Sequence, residues 1–182
     1  MRSPPSRRTF LKSTAAAGAA LAAPRFLKAR NANEKLNIAI IGAGGRGAAN
    51  LKGVEGENIV ALCDVDEARA ANSFNAHPNA AKFQDFRVML ERQRNIEAVI
   101  VSTPDHCHAH ASIMAMRLGK HCYTEKPLTL TIEEGQILRR VVRETGRIVQ
   151  VGTQQRRDPN FRLACELVRN GRLGKLRKVT VI

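Results

Sequence analysis

The sequence predicts an α/β protein built on a doubly wound parallel sheet, followed by the truncated start of a carboxy-terminal α/β domain. Three observations predict it. From Leu36 onward, short apolar runs alternate with amphipathic segments, the rhythm of a parallel sheet covered on both faces. The first run, Asn37 to Ile41, ends in the glycine-rich turn Gly42-Ala43-Gly44-Gly45-Arg46-Gly47. The second, Ile59 to Cys63, ends on Asp64, 20 residues beyond Gly44.

The elements follow in chain order. Residues 1–33 are set apart as a targeting segment and linker. Ser6-Arg7-Arg8-Thr9-Phe10-Leu11-Lys12 precedes an Ala/Gly-rich run over 13–23 that contains the small-x-small site Ala20-Leu21-Ala22. This pattern reads as a twin-arginine export signal, implying the twin-arginine export machinery as a partner and an exported, periplasmic location. A basic tail with a chance arginine pair is the alternative. Residues 34–152 form the nucleotide-binding domain and 153–182 the beginning of a substrate-binding domain.

Strands are expected near 36–41, 58–63, 97–102, 120–124 and 147–151, with a weaker one near 81–83. Helices are expected over 45–54, 66–75, 86–93, 106–118, 131–145 and 159–170. Thr131 with Glu134 forms a capping-box pattern, and Gly146 closes that helix. The chain ends in the apolar run Val179-Thr180-Val181-Ile182, a strand that needs a neighbour. It either pairs back onto the first sheet as an edge or opens a second domain in a truncated chain.

The glycine turn is a mononucleotide cradle. Gly42 permits the tight strand-to-helix turn, Gly44 lets backbone approach a pyrophosphate, and Gly47 lets the helix pack close on the strand. Gly45 and Arg46 open the helix, whose amide N–H groups face the phosphates. The Asp64 carboxylate then accepts hydrogen bonds from the adenosine ribose. Strand, glycines, helix, strand and acid in that order make this a dinucleotide-binding domain of Rossmann type.

Composition narrows the function classes. The chain has 182 residues, 43% of them hydrophobic, enough for one packed domain and part of another. No stretch is long and apolar enough to span a bilayer. The net charge of +14 suggests a nucleic-acid binder until it is located. Residues 1–35 carry eight Lys/Arg against one acid and residues 151–182 eight against two, whereas 36–150 hold fourteen against thirteen. The domain between the two ends therefore presents no basic face, and one Tyr with no Trp offers little to stack on bases, so nucleic acid is not expected as a partner. Cys63, Cys107, Cys122 and Cys165 include no C-x-x-C pair and read as small buried hydrophobes, with a disulfide as the alternative in an exported chain.

In an open parallel sheet, ligands sit beyond the carboxyl ends of the strands. Two segments in such places carry chemistry: Thr103-Pro104-Asp105-His106-Cys107-His108 and Tyr123-Thr124-Glu125-Lys126-Pro127. Lys126 is the catalytic candidate, because an ammonium at the mouth of a nucleotide site can hold a substrate hydroxyl and stabilise alkoxide charge. Glu125 either pairs with Lys126 or reaches cofactor hydroxyls. On a helix, His106 and His110 share a face while His108 points nearly opposite, so three ligands do not converge and no metal is expected. His108 is placed near the cofactor, with packing at the helix start as the alternative.

Together, Gly42 to Gly47, Cys63-Asp64-Val65-Asp66, Thr103 to His108, Gly119-Lys120-His121 and Glu125-Lys126-Pro127 resemble the Gfo/Idh/MocA oxidoreductase family. The twin-arginine pattern and Val149-Gln150-Val151-Gly152-Thr153-Gln154-Gln155-Arg156 are similar to its exported bacterial branch. The resemblance implies an amino-terminal Rossmann domain binding NAD or NADP, a carboxy-terminal domain supplying the substrate site, and hydride transfer at a sugar or polyol carbon. It implies that Thr103 and Pro104 approach the nicotinamide half, that Glu125 contacts the cofactor, and that Lys126 orients substrate and cofactor. Asp64 favours NAD over NADP by repelling a 2′-phosphate, although Arg46 lies nearby. The family's carboxy-terminal acid and histidine are absent, so this chain reads as a cofactor-binding fragment; because the family's carboxy-terminal sheet often supplies the oligomer interface, a homo-oligomer is expected only of a full-length protein. Two alternatives stay open. One is an NAD-dependent glycosidase, against which Glu125-Lys126-Pro127 argues because that branch is expected to replace the lysine; the other is a non-catalytic nucleotide-binding protein.

Overall fold

The computed structural model describes residues 34–180. The expected export signal, and Val181 and Ile182 of the last expected strand, lie outside the described residues. Strand β1 (Asn37–Ile41) leads to α1 (Arg46–Lys52), β2 (Asn58–Cys63), α2 (Glu67–Ala76), β3 (Ala81–Phe83), α3 (Phe86–Arg92) and β4 (Ala98–Val101). A 3₁₀ turn (Asp105–Cys107), α4 (His108–Arg117), β5 (His121–Glu125), α5 (Ile132–Thr145) and β6 (Val149–Gly152) follow, then a 3₁₀ turn (Gln154–Arg157) and α6 (Pro159–Arg169).

All strand pairs are parallel, in the order β3-β2-β1-β4-β5-β6. The order reverses between β1 and β4, the switch point at which such sheets bind ligands. Side-chain alternation along β1 divides the core. Ile38 and Ile40 pack with Leu51, Leu62 and Phe74 on the α1–α2 face. Ala39 and Ile41 pack with Met89, Val99, Met116 and Val141 on the α3–α5 face. A strand apolar on both faces needs helices on both, and α1–α2 and α3–α5 supply them.

Register gathers the chemistry at one edge. Ile41 pairs Cys63 and Val101, Val101 pairs Thr124, and Glu125 pairs Gly152. The residues just beyond these positions, including Gly42, Asp64, Thr103 and Lys126, therefore come off the same end of the sheet.

Helix boundaries follow their caps. Thr131 and Glu134 close a reciprocal capping box at the start of α5, and Gly146 ends it with φ 62°. The helix expected over 106–118 is instead a 3₁₀ turn followed by α4, which begins at His108. Pro104 precedes this segment in extended geometry. The run expected as a strand is irregular at Val179 and Thr180, and Val179 is 70% exposed. With no strand alongside it among the described residues, it has no ladder to join. Helix α6 is amphipathic, yet none of its residues is buried.

Cys63 and Cys122 are buried in strands, as expected, while Cys107 is half-buried and Cys165 exposed; all four are free. Burial, with the charges of Asp64 and Asp85, pushes the Cys63 thiol up to about 12. Burial pushes that of Cys122 up to about 11. Both are inert thiols at neutral pH.

Candidate dinucleotide site

The glycine turn is held from below by one carbonyl. The amides of Gly42 and Ala43 both donate to the Cys63 oxygen, at 2.8 and 3.1 Å. Gly42 has φ 84°, a region closed to most side chains, and a Cβ there would stand 2.8 Å from the Ser102 carbonyl. The third glycine is governed by space alone: a Cβ on Gly47 would lie 1.7 Å from the Gly42 oxygen. A Cβ on Gly44 or Gly45 would in turn meet Arg69, at 2.9 Å in each case. The Arg69 side chain therefore lies across the turn, a cation at the cradle that the motif did not reveal.

Asp64 faces the turn. Its Oδ2 accepts from the Gly44 amide at 2.8 Å, and its Oδ1 from the Asp66 amide at 3.0 Å. Each carboxylate oxygen has two lone-pair positions, so these bonds fix the carboxylate while leaving capacity for sugar hydroxyls. Gly45 and Arg46 donate their amides to no acceptor among the described residues. These backbone donors, a fixed acid and a cradle kept free of Cβ atoms fit a dinucleotide's pyrophosphate and ribose.

Glu125, 6% exposed, is a hub. Its Oε1 accepts from Arg46 Nε at 3.1 Å and from Asn50 Nδ2 at 2.8 Å. Gln154 Nε2 lies 2.8 Å from both carboxylate oxygens. Asn50 Nδ2 also donates to Ser102 Oγ at 2.8 Å. The acid thus ties α1 to the ends of β5 and β6. Burial pushes its carboxyl pKa up, but the bonds from Gln154, Asn50 and Arg46 outweigh that and hold it below the ordinary value. Tyr123 sits beside this hub, and its hydroxyl is pushed up first by burial and then by the Glu125 charge. Gly152 makes room for both: a Cβ there would be 2.6 Å from the Tyr123 hydroxyl and 3.0 Å from Glu125 Oε2.

Asn50 and Gln154 were missed by the sequence reading. The available signals were slight: Asn50 lies one helical turn after Arg46, and Gln154 two residues after a strand end. Arg46 reaches Glu125 through Nε, with its side chain 52% exposed.

Lys126 is exposed and joined to Pro127 by a cis peptide bond. Its ammonium has no hydrogen-bond or ion-pair partner among the described residues. Thr103 Oγ1 is buried without a partner, an unsatisfied hydroxyl on the ligand-facing edge of the sheet. Pro104 is exposed next to it. His108 is 1% exposed, whereas His106 and His110 are exposed. Both His108 ring nitrogens face backbone carbonyls, those of Thr103 and Pro127. An apolar recess lined by Ile38, Val54, Ala98, Ile100, Cys122 and Ile148 lies on the α1 face of the sheet and involves none of the cradle residues.

Residues 36–153 match the oxidoreductase family with an NAD-binding Rossmann fold, and residues 4–24 match the twin-arginine translocation pathway signal sequence. An inositol 2-dehydrogenase of Rhizobium meliloti is 30% identical over 149 residues, covering 80% of this chain and 44% of that protein. A glycosyl hydrolase family 109 protein of Saccharopolyspora erythraea is 35% identical over 162 residues, covering 72% and 35%. A crystal structure of scyllo-inositol dehydrogenase from Lactobacillus casei, with bound NAD(H) and scyllo-inositol, superposes with TM-score 0.69 at 26% identity, covering 78% and 43%. The chain thus spans less than half the length of each of these proteins.

Proposed function

Because the chain belongs to the Gfo/Idh/MocA oxidoreductase family, we propose that it is the cofactor-binding portion of an exported dehydrogenase that acts on a sugar or polyol, with NAD preferred over NADP. The observation that carries this reading is the Asp64 carboxylate held against the Gly44 amide, which puts a fixed negative charge where a dinucleotide's ribose belongs. That charge accepts hydrogen bonds from ribose hydroxyls and repels a 2′-phosphate. The names of the inositol dehydrogenase relatives support a polyol substrate. The twin-arginine signal supports the periplasm as the destination, and we assign residues 153–182 to the start of a substrate-binding domain.

The bound nicotinamide supplies the hydride acceptor or donor. Gly42, Gly44, Gly45, Arg46 and Gly47 hold the pyrophosphate, and Thr103 with Pro104 lines the nicotinamide side. Glu125 fixes Arg46 and thereby the start of α1. Lys126, without a partner among the described residues, holds the substrate hydroxyl, and its ammonium stabilises the charge developing on that oxygen while a separate general base takes the proton.

A test separates binding from chemistry. In a preparation that turns over an inositol with NAD, Lys126→Ala is expected to lower kcat by about 10²–10³-fold, the usual worth of a donor that stabilises charge developing on oxygen. The NADH dissociation constant should stay within about twofold, since the lysine holds no part of the cradle together. Unchanged kcat would remove Lys126 from the reaction. The glycosyl hydrolase relative favours a second reading, an NAD-dependent glycosidase. Release of aryl aglycone without added NAD, in a protein that fails to oxidise free polyols, would favour it over the dehydrogenase.

A further inference from the structure

The backbone ladder between β4 and β5 ends at the pair Val101 and Thr124. Beyond it the two strands enter separate loops, one carrying Thr103 and Pro104, the other Lys126 and Pro127. No backbone hydrogen bond joins these loops among the described residues. One side chain does. The ring of His108, at the first residue of α4, is 1% exposed and lies between them. Its Nδ1 is 2.6 Å from the Pro127 carbonyl oxygen and its Nε2 is 2.8 Å from the Thr103 carbonyl oxygen.

A carbonyl oxygen only accepts, so each contact is a hydrogen bond only where the ring nitrogen carries the proton. A neutral imidazole has one N–H and would leave the other carbonyl facing a lone pair. The doubly protonated ring donates to both, so that neither carbonyl is left facing a lone pair. We propose that His108 is a positioning residue that straps the β4 and β5 loops together by donating from both ring nitrogens, fixing the Thr103–Pro104 backbone relative to Lys126. It touches neither cofactor nor substrate; it sets the distance between the groups that do. The functional part of this inference rests on the dinucleotide reading of the site, whereas the strap itself does not.

Three features of the site agree with this assignment. Burial leaves the ring no route to a ligand. Thr103 Oγ1 has no protein partner and stays available to one, because the strap uses the Thr103 backbone oxygen instead. The Pro127 carbonyl lies one residue from Lys126, so a hydrogen bond there constrains the lysine's backbone directly.

The test begins with the ring itself. Nitrogen-15 correlation spectra of the 182-residue chain at neutral pH should show both His108 ring nitrogens bearing protons, each protected from exchange with water. A ring nitrogen with the shift of an unprotonated lone pair would overturn the strap. His108→Gln reaches one carbonyl at most. It is expected to move the amide resonances of Thr103 and Lys126 together while leaving those of Gly42 to Gly47 in place, and to weaken NADH about two- to tenfold, the loss of one hydrogen bond. Resonance changes confined to α4, with neither loop moving, would overturn the proposal. Absence of NADH binding by the unaltered chain would instead defeat the cofactor reading, with the ring spectrum still deciding whether the strap exists.

Discussion

Gly47→Ala is expected to abolish NADH binding and to destabilise the domain by about 3 kcal/mol, the upper part of the usual range for overpacking. The new methyl would sit 1.7 Å from the Gly42 oxygen and 2.8 Å from the Gly42 carbonyl carbon. Neither atom can yield alone, because the Gly42 and Ala43 amides are both held by the Cys63 oxygen. Relief therefore requires α1 to lift from the turn, which withdraws the Gly45 and Arg46 amides from any phosphate. Gly56→Ala is the matched control: nothing lies within 4 Å of its would-be Cβ. Stability there should change by no more than about 0.5 kcal/mol. Urea denaturation and NADH titration of the two variants together separate a local clash from a general intolerance of alanine.

Glu125→Ala should be the next most damaging change, costing about 2–3 kcal/mol through loss of charge-assisted hydrogen bonds. Asn50 keeps Ser102 as an acceptor, but Gln154 and Arg46 lose the carboxylate that tied them to β5. Acid should reproduce part of this loss. The folded-state pKa of Glu125 lies below its ordinary value of 4.5, so its contribution is fully present above the unfolded value and disappears as pH falls through the folded one. Denaturation curves for the unaltered chain and Glu125→Gln should therefore differ most near neutral pH, begin to converge as pH falls below 4.5, and come together only below the folded-state value. A constant difference across that range would mean that the charge on Glu125 is not what organises the hub.

The order of elements was readable because local rules and global topology agreed. Alternation along β1 fills two faces, the glycines sit where a Cβ would collide, and the Thr131–Glu134 box starts α5 where its pattern begins. What could not be read was partnership across the sheet. The Glu125 hub draws on Asn50, 75 residues earlier, and Gln154, 29 residues later. Their polar side chains show no periodicity that would reveal the meeting. His108 illustrates the same limit. Its place in the Thr103-Pro104 segment suggested a position by the cofactor, but only the fold brings the Pro127 carbonyl to its other nitrogen. Val179 and Thr180, the described half of the last expected strand, lie outside any strand for a different reason: β-branched composition favours a strand only where a neighbour supplies the ladder.

The central claim is that the turn at residues 42–47, with Asp64, grips an NAD-type dinucleotide. Titrating the 182-residue chain with NADH, followed by nicotinamide fluorescence with NADPH in parallel, tests it most directly. Saturable binding of one NADH per chain is predicted, tighter than NADPH, with Asp64→Ala weakening NADH by about tenfold or more through lost hydrogen bonds to a charged group. No saturable signal, or an Asp64→Ala variant that binds NADH as the unaltered chain does, would contradict it.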